Sequence, residues 1–305
     1  MMQTTLSTDV IFKGIGLHSG QPVEMVVRPA HANSGISFHR IDLQSAPVLP
    51  ARFDMVSDTR LCTKLGSGRN SVGTIEHIMA ALAGCGIHNA YITLNGPEVP
   101  IMDGSSAEFV AGILDAGIFE LDAKIKVLKI LKPMRFEDEG GYAELWPCAN
   151  PKISFEIEFD VPIIGRQSKN LSMANGSFIR ELCNSRTFCK KVDVDYMQAN
   201  GLGLGGSLEN AVVVDDEKVL NPTGFRHSDE CVRHKMLDAL GDLYLAGGPI
   251  LGHYVGHKAG HRITNKLLRV LLANQEAFEW IDCDMGTACL LPGSDLKESD
   301  LALIA

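Results

Sequence analysis

The sequence predicts an α+β fold made of two domains, each a β-sheet layer packed with α-helices. A chain of 305 residues is long for a single core and suits two domains. Short β-rich segments bounded by turns alternate with amphipathic helical segments in both halves. Short segments of the first half also have counterparts in the second.

In the first half, apolar and β-branched runs predict strands and 3.6-residue periodicity predicts helices. The strands are Val23–Arg28, Gly35–Phe38 and Asn89–Leu94, the last closed by the turn Asn95–Pro97. The helices are Ser71–Cys85, capped by Thr74 and ended by Gly84 and Gly86, and Ser106–Ala116.

A new β-rich region begins near Lys124, so we place a boundary near residue 123 and expect domains at 1–122 and 123–305. The predicted strands of this region are Ile125–Leu131, Ala143–Trp146, Ile153–Phe159 and Ala211–Val214. The predicted helices are Asp229–Ala246, closed by Gly247–Pro249, and about Thr264–Phe278.

Two pairs of segments repeat between the halves. Ser57–Cys62 (SDTRLC) parallels Asn184–Cys189 (NSRTFC), and each half then has a helix bearing His-x-Met followed by Ala-Leu. Such repeats favour a duplicated unit, whereas matches this short are also compatible with chance.

Composition excludes some classes of function. The net charge of −9 and the pI near 5.6 argue against a nucleic-acid binder. The longest apolar runs are far shorter than a membrane span, and the first residues lack the pattern of a signal peptide. The eight cysteines contain no C-x-x-C pair, so we expect reduced, mostly buried thiols and a cytoplasmic protein.

The first candidate metal ligands lie on the helix Asp229–Ala246. His234 and Asp238 are four residues apart, so both side chains leave one face of the helix one turn apart. This spacing lets two side chains share one metal ion. For an isolated pair, an exposed ion pair or a packed histidine is the simpler interpretation.

Glu76 and His77 add a second pair on another predicted helix. Adjacent helical residues point about 100° apart, so one can bind a metal while the other reaches a water beside it. An exposed glutamate beside a packed histidine is again the simpler interpretation of the pair alone. Together, His77, His234 and Asp238 make a catalytic zinc set with one position left open, where zinc lowers the pKa of water from 15.7 to about 7.

Two glycine-rich segments carry further candidate motifs. His257 and His261 are four residues apart, but the flanking Gly256 and Gly260 make a helix improbable. One of these histidines is a candidate general acid on a strand end or loop, and a polar turn is an equal alternative. Gly201–Gly206 satisfies G-x-G-x-x-G, yet it precedes a strand instead of following one, so it is not a dinucleotide site.

Six segments, in order along most of the chain, resemble the signatures of the LpxC family of UDP-3-O-acyl-N-acetylglucosamine deacetylases. They are Gly14–Gly20 (GIGLHSG), Thr74–Leu82 (TIEHIMAAL), Ser185–Phe188 (SRTF), Gly205–Ser207 (GGS), Val232–Leu243 (VRHKMLDALGDL) and Gly260-His261. The run Val232–Leu243 is too long and too unusual in its chemistry to match by chance.

The resemblance implies two similar domains with the active site between them. It also implies hydrolysis of the N-acetyl group of UDP-3-O-(3-hydroxyacyl)-N-acetylglucosamine, a step of lipid A synthesis. His77, His234 and Asp238 would bind one Zn²⁺, which Fe²⁺ could replace. The expected catalytic residues are the base Glu76, the acid His261, its partner Asp242 and the oxyanion donor Thr187.

The resemblance further implies the residues that bind the substrate. Lys235 and Lys258 would meet its polar parts and Phe159 its uridine, with Leu61, Cys62 and Phe188 also in contact. An insertion near residues 193–215 would form the acyl passage, lined by Val194, Gly203, Leu208, Ala211 and Val213. For Gly203, a turn that requires positive φ is the alternative. Arg60 and Lys190 depart from the family pattern, which affects contacts with sugar and acyl chain more than the metal chemistry.

Two other functions are compatible with parts of this pattern. A zinc hydrolase of another amide shares the metal set, and a sugar-nucleotide binding module would keep the fold without catalysis. A binding module needs none of Glu76, Thr187 and His261, so their presence favours the deacetylase. We expect the protein to act as a monomer, without a nucleic-acid partner.

Overall fold

The structure, a computed structural model, describes residues 1–174, 176–294, 296 and 300. Its strands are β1 (Met2–Leu6), β2 (Val10–Ile15), β3 (Pro22–Pro29), β4 (Ile36–Arg40), β5 (Leu49–Pro50), β6 (Val56–Asp58), β7 (Lys64–Ser67), β8 (Asn70–Val72), β9 (Ala90–Leu94), β10 (Ile118–Lys124), β11 (Lys126–Ile130), β12 (Met134–Asp138), β13 (Gly141–Trp146), β14 (Lys152–Glu158), β15 (Arg166–Ser172), β16 (Phe188–Lys190), β17 (Val212–Asp215), β18 (Lys218–Val219), β19 (Ile250–Leu251), β20 (His253–His257) and β21 (Phe278–Asp282). Its α-helices are α1 (Glu76–Gly84), α2 (Ala107–Ala116), α3 (Ser177–Glu181), α4 (Lys191–Ala199), α5 (Glu230–Tyr244), α6 (His261–Ala273) and α7 (Met285–Ala288). The predicted α+β class is confirmed.

Two five-stranded sheets share one topology. The first has the order β2-β3-β9-β4-β5 and the second the order β12-β13-β20-β14-β15. In each sheet the third and fourth strands are parallel and all other neighbours are antiparallel. A smaller three-stranded sheet follows the first four or five strands of each unit, β6-β7-β8 in one and β16-β17-β18 in the other. The chain therefore consists of two units of the same design, as the sequence repeats suggested.

The helices bring the two units together. α1 of the first unit packs along α5 of the second, while α2 lies on β2 and α6 on β12 and β13. Ile78, Leu82 and Leu237 are fully buried in a core that extends through both units. None of the helices in the described ranges is long and apolar enough to cross a membrane.

The predicted helix Ser71–Cys85 begins too early. Ser71 and Val72 belong to β8, which pairs with β7, and the helix starts only at Glu76. Thr74 is not its cap: it adopts a positive φ of 56° and donates its hydroxyl to Glu98 Oε1 at 3.2 Å. Pairing of a short strand, which the apolar periodicity does not reveal, overrides the helical pattern here.

The last predicted helix is also misplaced. α6 starts at His261, three residues earlier than expected, and ends at Ala273, while Phe278 opens β21, which pairs with β11. Leu267, Leu268 and Leu271 fix the buried face of this helix. Around the expected domain boundary, β10 pairs with β1 and β11 pairs with β19 and β21. A boundary near residue 123, with a second domain running to 305 partly outside the described residues, remains a prediction.

Candidate active site

Two packed helices supply most of the predicted chemistry. Glu76 and His77 form the first turn of α1, and His234, Asp238 and Asp242 succeed one another at four-residue spacing along α5. All five are buried, with exposures of 2–5%. Because one side of α5 faces α1, the polar groups of both helices meet inside the protein.

His77, His234 and Asp238 converge as a metal site would require. Their ligand atoms all lie within 4.8 Å of one another. Asp238 Oδ1 lies 3.4 Å from His234 Nε2 and 3.7 Å from His77 Nε2, and among the described residues it has no hydrogen-bond partner. Ligands about 2.0–2.1 Å from one tetrahedral ion lie roughly 3.3 Å apart. A buried carboxylate oxygen without a donor is costly, and a cation shared with both imidazoles would satisfy it.

Neighbouring groups set the ligands' orientation and charge. His234 Nδ1 lies 3.0 Å from the carbonyl oxygen of Ser185, which leaves Nε2 free to bind a metal, and Lys235 donates to Asp238 Oδ2 at 2.7 Å. Burial, together with His234, lowers the pKa of His77 to about 3, and burial also lowers the pKa of His234. Burial raises the pKa of Asp238, but His234 and Lys235 outweigh it and leave that pKa far below normal. The site therefore offers two neutral imidazoles and one carboxylate, the protonation states that a metal needs.

Glu76 lies beside this cluster with its carboxylate between two partners. Oε2 accepts a hydrogen bond from the backbone nitrogen of Thr63 at 3.0 Å, and Oε1 lies 3.8 Å from His261 Nε2. Burial raises the pKa of Glu76 to about 7, although the nearby His261 acts in the opposite direction. A carboxyl group whose pKa lies near neutrality suits proton transfer.

His261 is the first residue of α6, not part of a loop or strand end as the sequence suggested. Its Nδ1 donates to Asp242 Oδ2 at 2.7 Å, so Nε2 points toward Glu76. Burial lowers the pKa of His261, but Asp242 and Glu76 prevail and raise it to about 9. The alternative candidate, His257, lies on β20, pairs with Glu156 and stacks on Tyr142. Of the two histidines, the structure brings only His261 to the site.

Phe188 and Phe159 connect the predicted substrate site to the histidines. Phe188 meets His234 edge to face at 6.2 Å between centroids and contacts Phe159 at 5.4 Å. Thr187 directly precedes Phe188, and its backbone is fixed by hydrogen bonds to the Gly104 oxygen and from the Val212 nitrogen. Of these predicted residues, Phe188 is the one whose side chain lies against a proposed metal ligand.

The other predicted substrate residues differ in their exposure and in the groups they contact. Lys235 points to Asp238 and lies 6.0 Å from the Phe188 ring, whereas Lys258 has a φ of 50° and pairs with Glu158. Leu61 is 46% exposed, while Cys62 is buried near Glu76, and burial raises its pKa to about 12. Of the residues that depart from the family pattern, Arg60 pairs with Asp58 and Lys190 with Asp160.

The residues predicted to line the acyl passage lie on α4, on β17 and between them. Val194 is half-buried, Leu208 is 42% exposed, and Ala211 and Val213 are buried. Gly203 has a φ of 63°, and a Cβ there would be 3.7 Å from Met197 Cβ. The turn that the sequence left open as an alternative for Gly203 is therefore present.

Sequence reasoning missed two residues that touch the central groups. Thr63 bonds Glu76, and the Ser185 carbonyl fixes His234. Each lies in one of the repeated segments or directly after it, since Thr63 follows Ser57–Cys62 and Ser185 lies within Asn184–Cys189. The repetition was the signal that could have found them.

Comparison with known proteins finds one family along most of the chain. The family model for UDP-3-O-acyl N-acetylglycosamine deacetylase (LpxC) matches residues 3–273. A UDP-3-O-acyl-N-acetylglucosamine deacetylase of Acidithiobacillus ferrooxidans is 49% identical over 92% of this chain and 93% of its own length. Similar proteins of that name from Shewanella frigidimarina and Haemophilus influenzae are 44% and 46% identical, covering 96% and 92% of this chain and 98% and 92% of their own lengths.

Proposed function

We infer the function from one premise: the chain belongs to the UDP-3-O-acyl N-acetylglycosamine deacetylase (LpxC) family. It is a deacetylase that hydrolyses the N-acetyl amide of UDP-3-O-acyl-N-acetylglucosamine, giving the free 2-amine and acetate in lipid A synthesis. The observation that carries this function is the convergence of His77, His234 and Asp238 beside Glu76 and His261.

The family is one of metalloenzymes, and the residues present fit a metal ion. His77 Nε2, His234 Nε2 and Asp238 Oδ1 would hold it, leaving a position open for substrate or water. We propose Zn²⁺, because two imidazoles and one carboxylate around an open position are a common catalytic zinc set. When bound, the ion supplies Lewis-acid polarisation of the amide carbonyl and lowers the pKa of water. Fe²⁺ suits the same ligands, and elemental analysis of the purified protein distinguishes the two.

The chain's own residues would move the protons. Glu76 Oε1 takes a proton from the attacking water as its oxygen bonds to the amide carbon. The Thr187 hydroxyl donates to the oxygen that becomes negatively charged. His261 Nε2, kept protonated beside Asp242, then gives a proton to the leaving nitrogen as the C–N bond breaks. The products are acetate and the amine. Before the next turnover Glu76 loses its proton to solvent and His261 takes one up.

We propose that substrate groups lie on both sides of this centre. Phe159, Phe188, Leu61, Cys62 and the ammonium groups of Lys235 and Lys258 would contact the nucleotide sugar. The segment 193–215 would sheath the acyl chain through Val194, Gly203, Leu208, Ala211 and Val213. Each methylene removed from water contributes about 0.8 kcal/mol, so a long chain would supply much of the affinity even after ordering costs.

Acetate release from UDP-3-O-acyl-N-acetylglucosamine tests the proposal directly. We expect metal-loaded protein to release one acetate per amine formed, and a metal chelator to abolish the reaction until metal is restored. Glu76→Gln is the matched control, since it keeps the side chain's shape and removes the base. If chelation left the activity unchanged, or if a simple peptide amide were cleaved as fast as the UDP-sugar substrate, a different hydrolase would be favoured.

We also propose that the protein acts as a monomer in the cytoplasm. All eight cysteines are free, which fits a reducing compartment. Light scattering of the purified protein and fractionation of cells test these two statements, and a dimer or a periplasmic fraction would contradict them.

A further inference from the structure

Thr63 connects two carboxylates of the site from a third element. It lies between β6 and β7 in the small sheet of the first unit and is 1% exposed. Its backbone nitrogen donates to Glu76 Oε2 at 3.0 Å, and its hydroxyl donates to Asp242 Oδ1 at 2.6 Å. Its carbonyl oxygen accepts from the Ile75 nitrogen at 3.4 Å, directly before Glu76. One buried residue thus contacts both α1 and α5.

These contacts belong to a closed ring of four residues, Thr63, Asp242, His261 and Glu76. Asp242 uses Oδ1 for Thr63 and Oδ2 for His261 Nδ1, at 2.7 Å. His261 Nε2 in turn lies 3.8 Å from Glu76 Oε1, and Glu76 Oε2 returns to Thr63. Thr63 is the one member of this ring that carries no ionisable group. Its donors occupy one oxygen of each carboxylate, Glu76 Oε2 and Asp242 Oδ1, and the other oxygen of each carboxylate faces His261.

We propose that Thr63 is a positioning residue for the hydrolysis, holding the base Glu76 and the Asp242–His261 pair in one fixed arrangement. The inference rests on the proposed function. It adds the residue that connects the proposed base, Glu76, to the proposed acid, His261. Without the hydroxyl, Asp242 Oδ1 is a buried carboxylate oxygen lacking its donor, and the carboxylate is free to rotate. His261 then loses its fixed direction toward the leaving nitrogen, and misplacement of about 1 Å costs up to roughly 100-fold in rate.

Thr63→Val and Thr63→Ser separate this role from simple packing. Valine keeps the shape and the backbone donor but removes the hydroxyl, whereas serine keeps the hydroxyl and loses a methyl group. We expect Thr63→Val to lower kcat roughly 10- to 100-fold, with KM and metal content little changed. Thr63→Ser should recover most of that loss. If Thr63→Ser is the poorer enzyme, the methyl group matters more than the hydroxyl, and the proposal is overturned.

A double-mutant cycle with His261→Gln shows whether Thr63 acts through the Asp242–His261 pair. We expect removal of the hydroxyl to cost several-fold less in the His261→Gln protein than in the wild type. An equal loss in both proteins would mean that Thr63 acts independently, which contradicts the proposal. Should Thr63→Val fail to fold, Thr63→Ala provides a smaller variant without the hydroxyl for the same cycle.

A measurement without substrate keeps this test separate from the proposed function. The proton on His261 Nδ1, shared with Asp242, should give a downfield nuclear magnetic resonance signal in the wild type and in Thr63→Ser. In Thr63→Val we expect that signal to shift and to exchange faster with water. An unchanged signal would overturn the inference alone, while absence of acetate release by the wild type would overturn the proposed function.

Discussion

Glu76 and His77 are neighbours in the chain, yet in the first turn of α1 their side chains point to different partners. His77 Nε2 points to Asp238 Oδ1, and Glu76 Oε1 points to His261. This divergence follows from the roughly 100° between successive helical residues. Two adjacent residues could thus supply both the proposed metal ligand and the proposed base, and mutation can separate the two roles.

We therefore expect His77→Ala, His234→Ala and Asp238→Ala to lower metal content and activity together. Glu76→Gln should retain the metal and lose roughly 10²–10⁴ in rate, the usual contribution of general acid–base catalysis. Elemental analysis and acetate release on the same preparations give both quantities. A metal-free Glu76→Gln protein beside a fully loaded His77→Ala protein would show that the ligand and the base have been exchanged.

The second prediction at this scale concerns pH. Asp242 and Glu76 overcome the effect of burial and raise the pKa of His261 to about 9. Since the proposed acid His261 must be protonated and the proposed base Glu76 deprotonated, kcat/KM should be bell-shaped: it should fall as pH drops through about 7, where burial places the pKa of Glu76, and as pH rises through about 9. Asp242→Asn removes one of the two nearest negative charges, so the fall on the basic side should move to lower pH, and His261→Gln should flatten it. A basic limb that neither variant changes would assign the acid role to another group.

Sequence alone could predict that His77, His234 and Asp238 cluster, because each lies in a run with regular helical spacing. It could not determine the direction of Lys235, whose ammonium turns to Asp238, or the pairing of Lys258 with Glu158. A long, flexible lysine side chain pairs with the carboxylate that the tertiary structure brings near, and the local sequence does not show which one that is.

At the scale of elements, α4 is the part of the proposed acyl passage with two distinct faces. Lys191, Val194 and Met197 are half-buried, whereas Val192 is 65% exposed. Met197 also lies against Gly203, so the inner face of α4 borders the turn at Gly203. Because Gly203 has a positive φ, a large residue there strains the backbone whatever the substrate. Val194 is the better position for a test.

Val194→Trp should narrow the passage and reduce kcat/KM for a long-chain substrate. Excluding two methylene groups at about 0.8 kcal/mol each lowers it roughly 15-fold. A short-acyl analogue should be hydrolysed at nearly the normal rate, and metal content should be unchanged. Val192→Trp, on the exposed face of the same helix, is the matched control. If both tryptophan variants processed long and short chains alike, the passage would not run along α4.

Helix ends illustrate where sequence patterns fail. Apolar spacing located α1, α2, α5 and α6, but it extended α1 backward over β8 and shifted α6 toward β21. In both cases the residues outside the helix belong to a paired strand. For β21 the partner, β11, is far away in the chain, so a single sequence does not show the pairing. β8 pairs with the adjacent β7, but it has only three residues, too few for strand alternation to stand out from the helical pattern that follows.

At the scale of the whole molecule, the site depends on two units of the same topology meeting along one pair of helices. The first unit gives Glu76 and His77, and the second gives His234, Asp238, Asp242 and His261. The short sequence repeats indicated this duplication but could not specify the contact between units. That contact depends on how closely α1 and α5 approach, which a glycine on α5 determines.

Gly241 lies where α5 crosses the start of α1. A Cβ there would overlap the carbonyl oxygen of Glu76 and lie 3.0 Å from the Ala80 nitrogen, so any side chain must push the helices apart. Helix propensity alone would make Gly241→Ala stabilising by about 1 kcal/mol. We expect the opposite sign, a loss of about 2 kcal/mol from overpacking, because backbone atoms cannot yield as a flexible side chain can.

Separating α1 from α5 should also move His77 away from His234 and Asp238. Gly241→Ala should therefore bind metal more weakly as well as melt at a lower temperature, although it alters no ligand. Gly286→Ala in α7 is the matched control, because within the described part of the chain its Cβ would meet only Asp284 Oδ1, at an ordinary 3.6 Å. Thermal unfolding and metal titration of both variants provide the measurement. A Gly241→Ala protein that melted at a higher temperature and kept full metal affinity would show that the close crossing of α1 and α5 does not hold the site together.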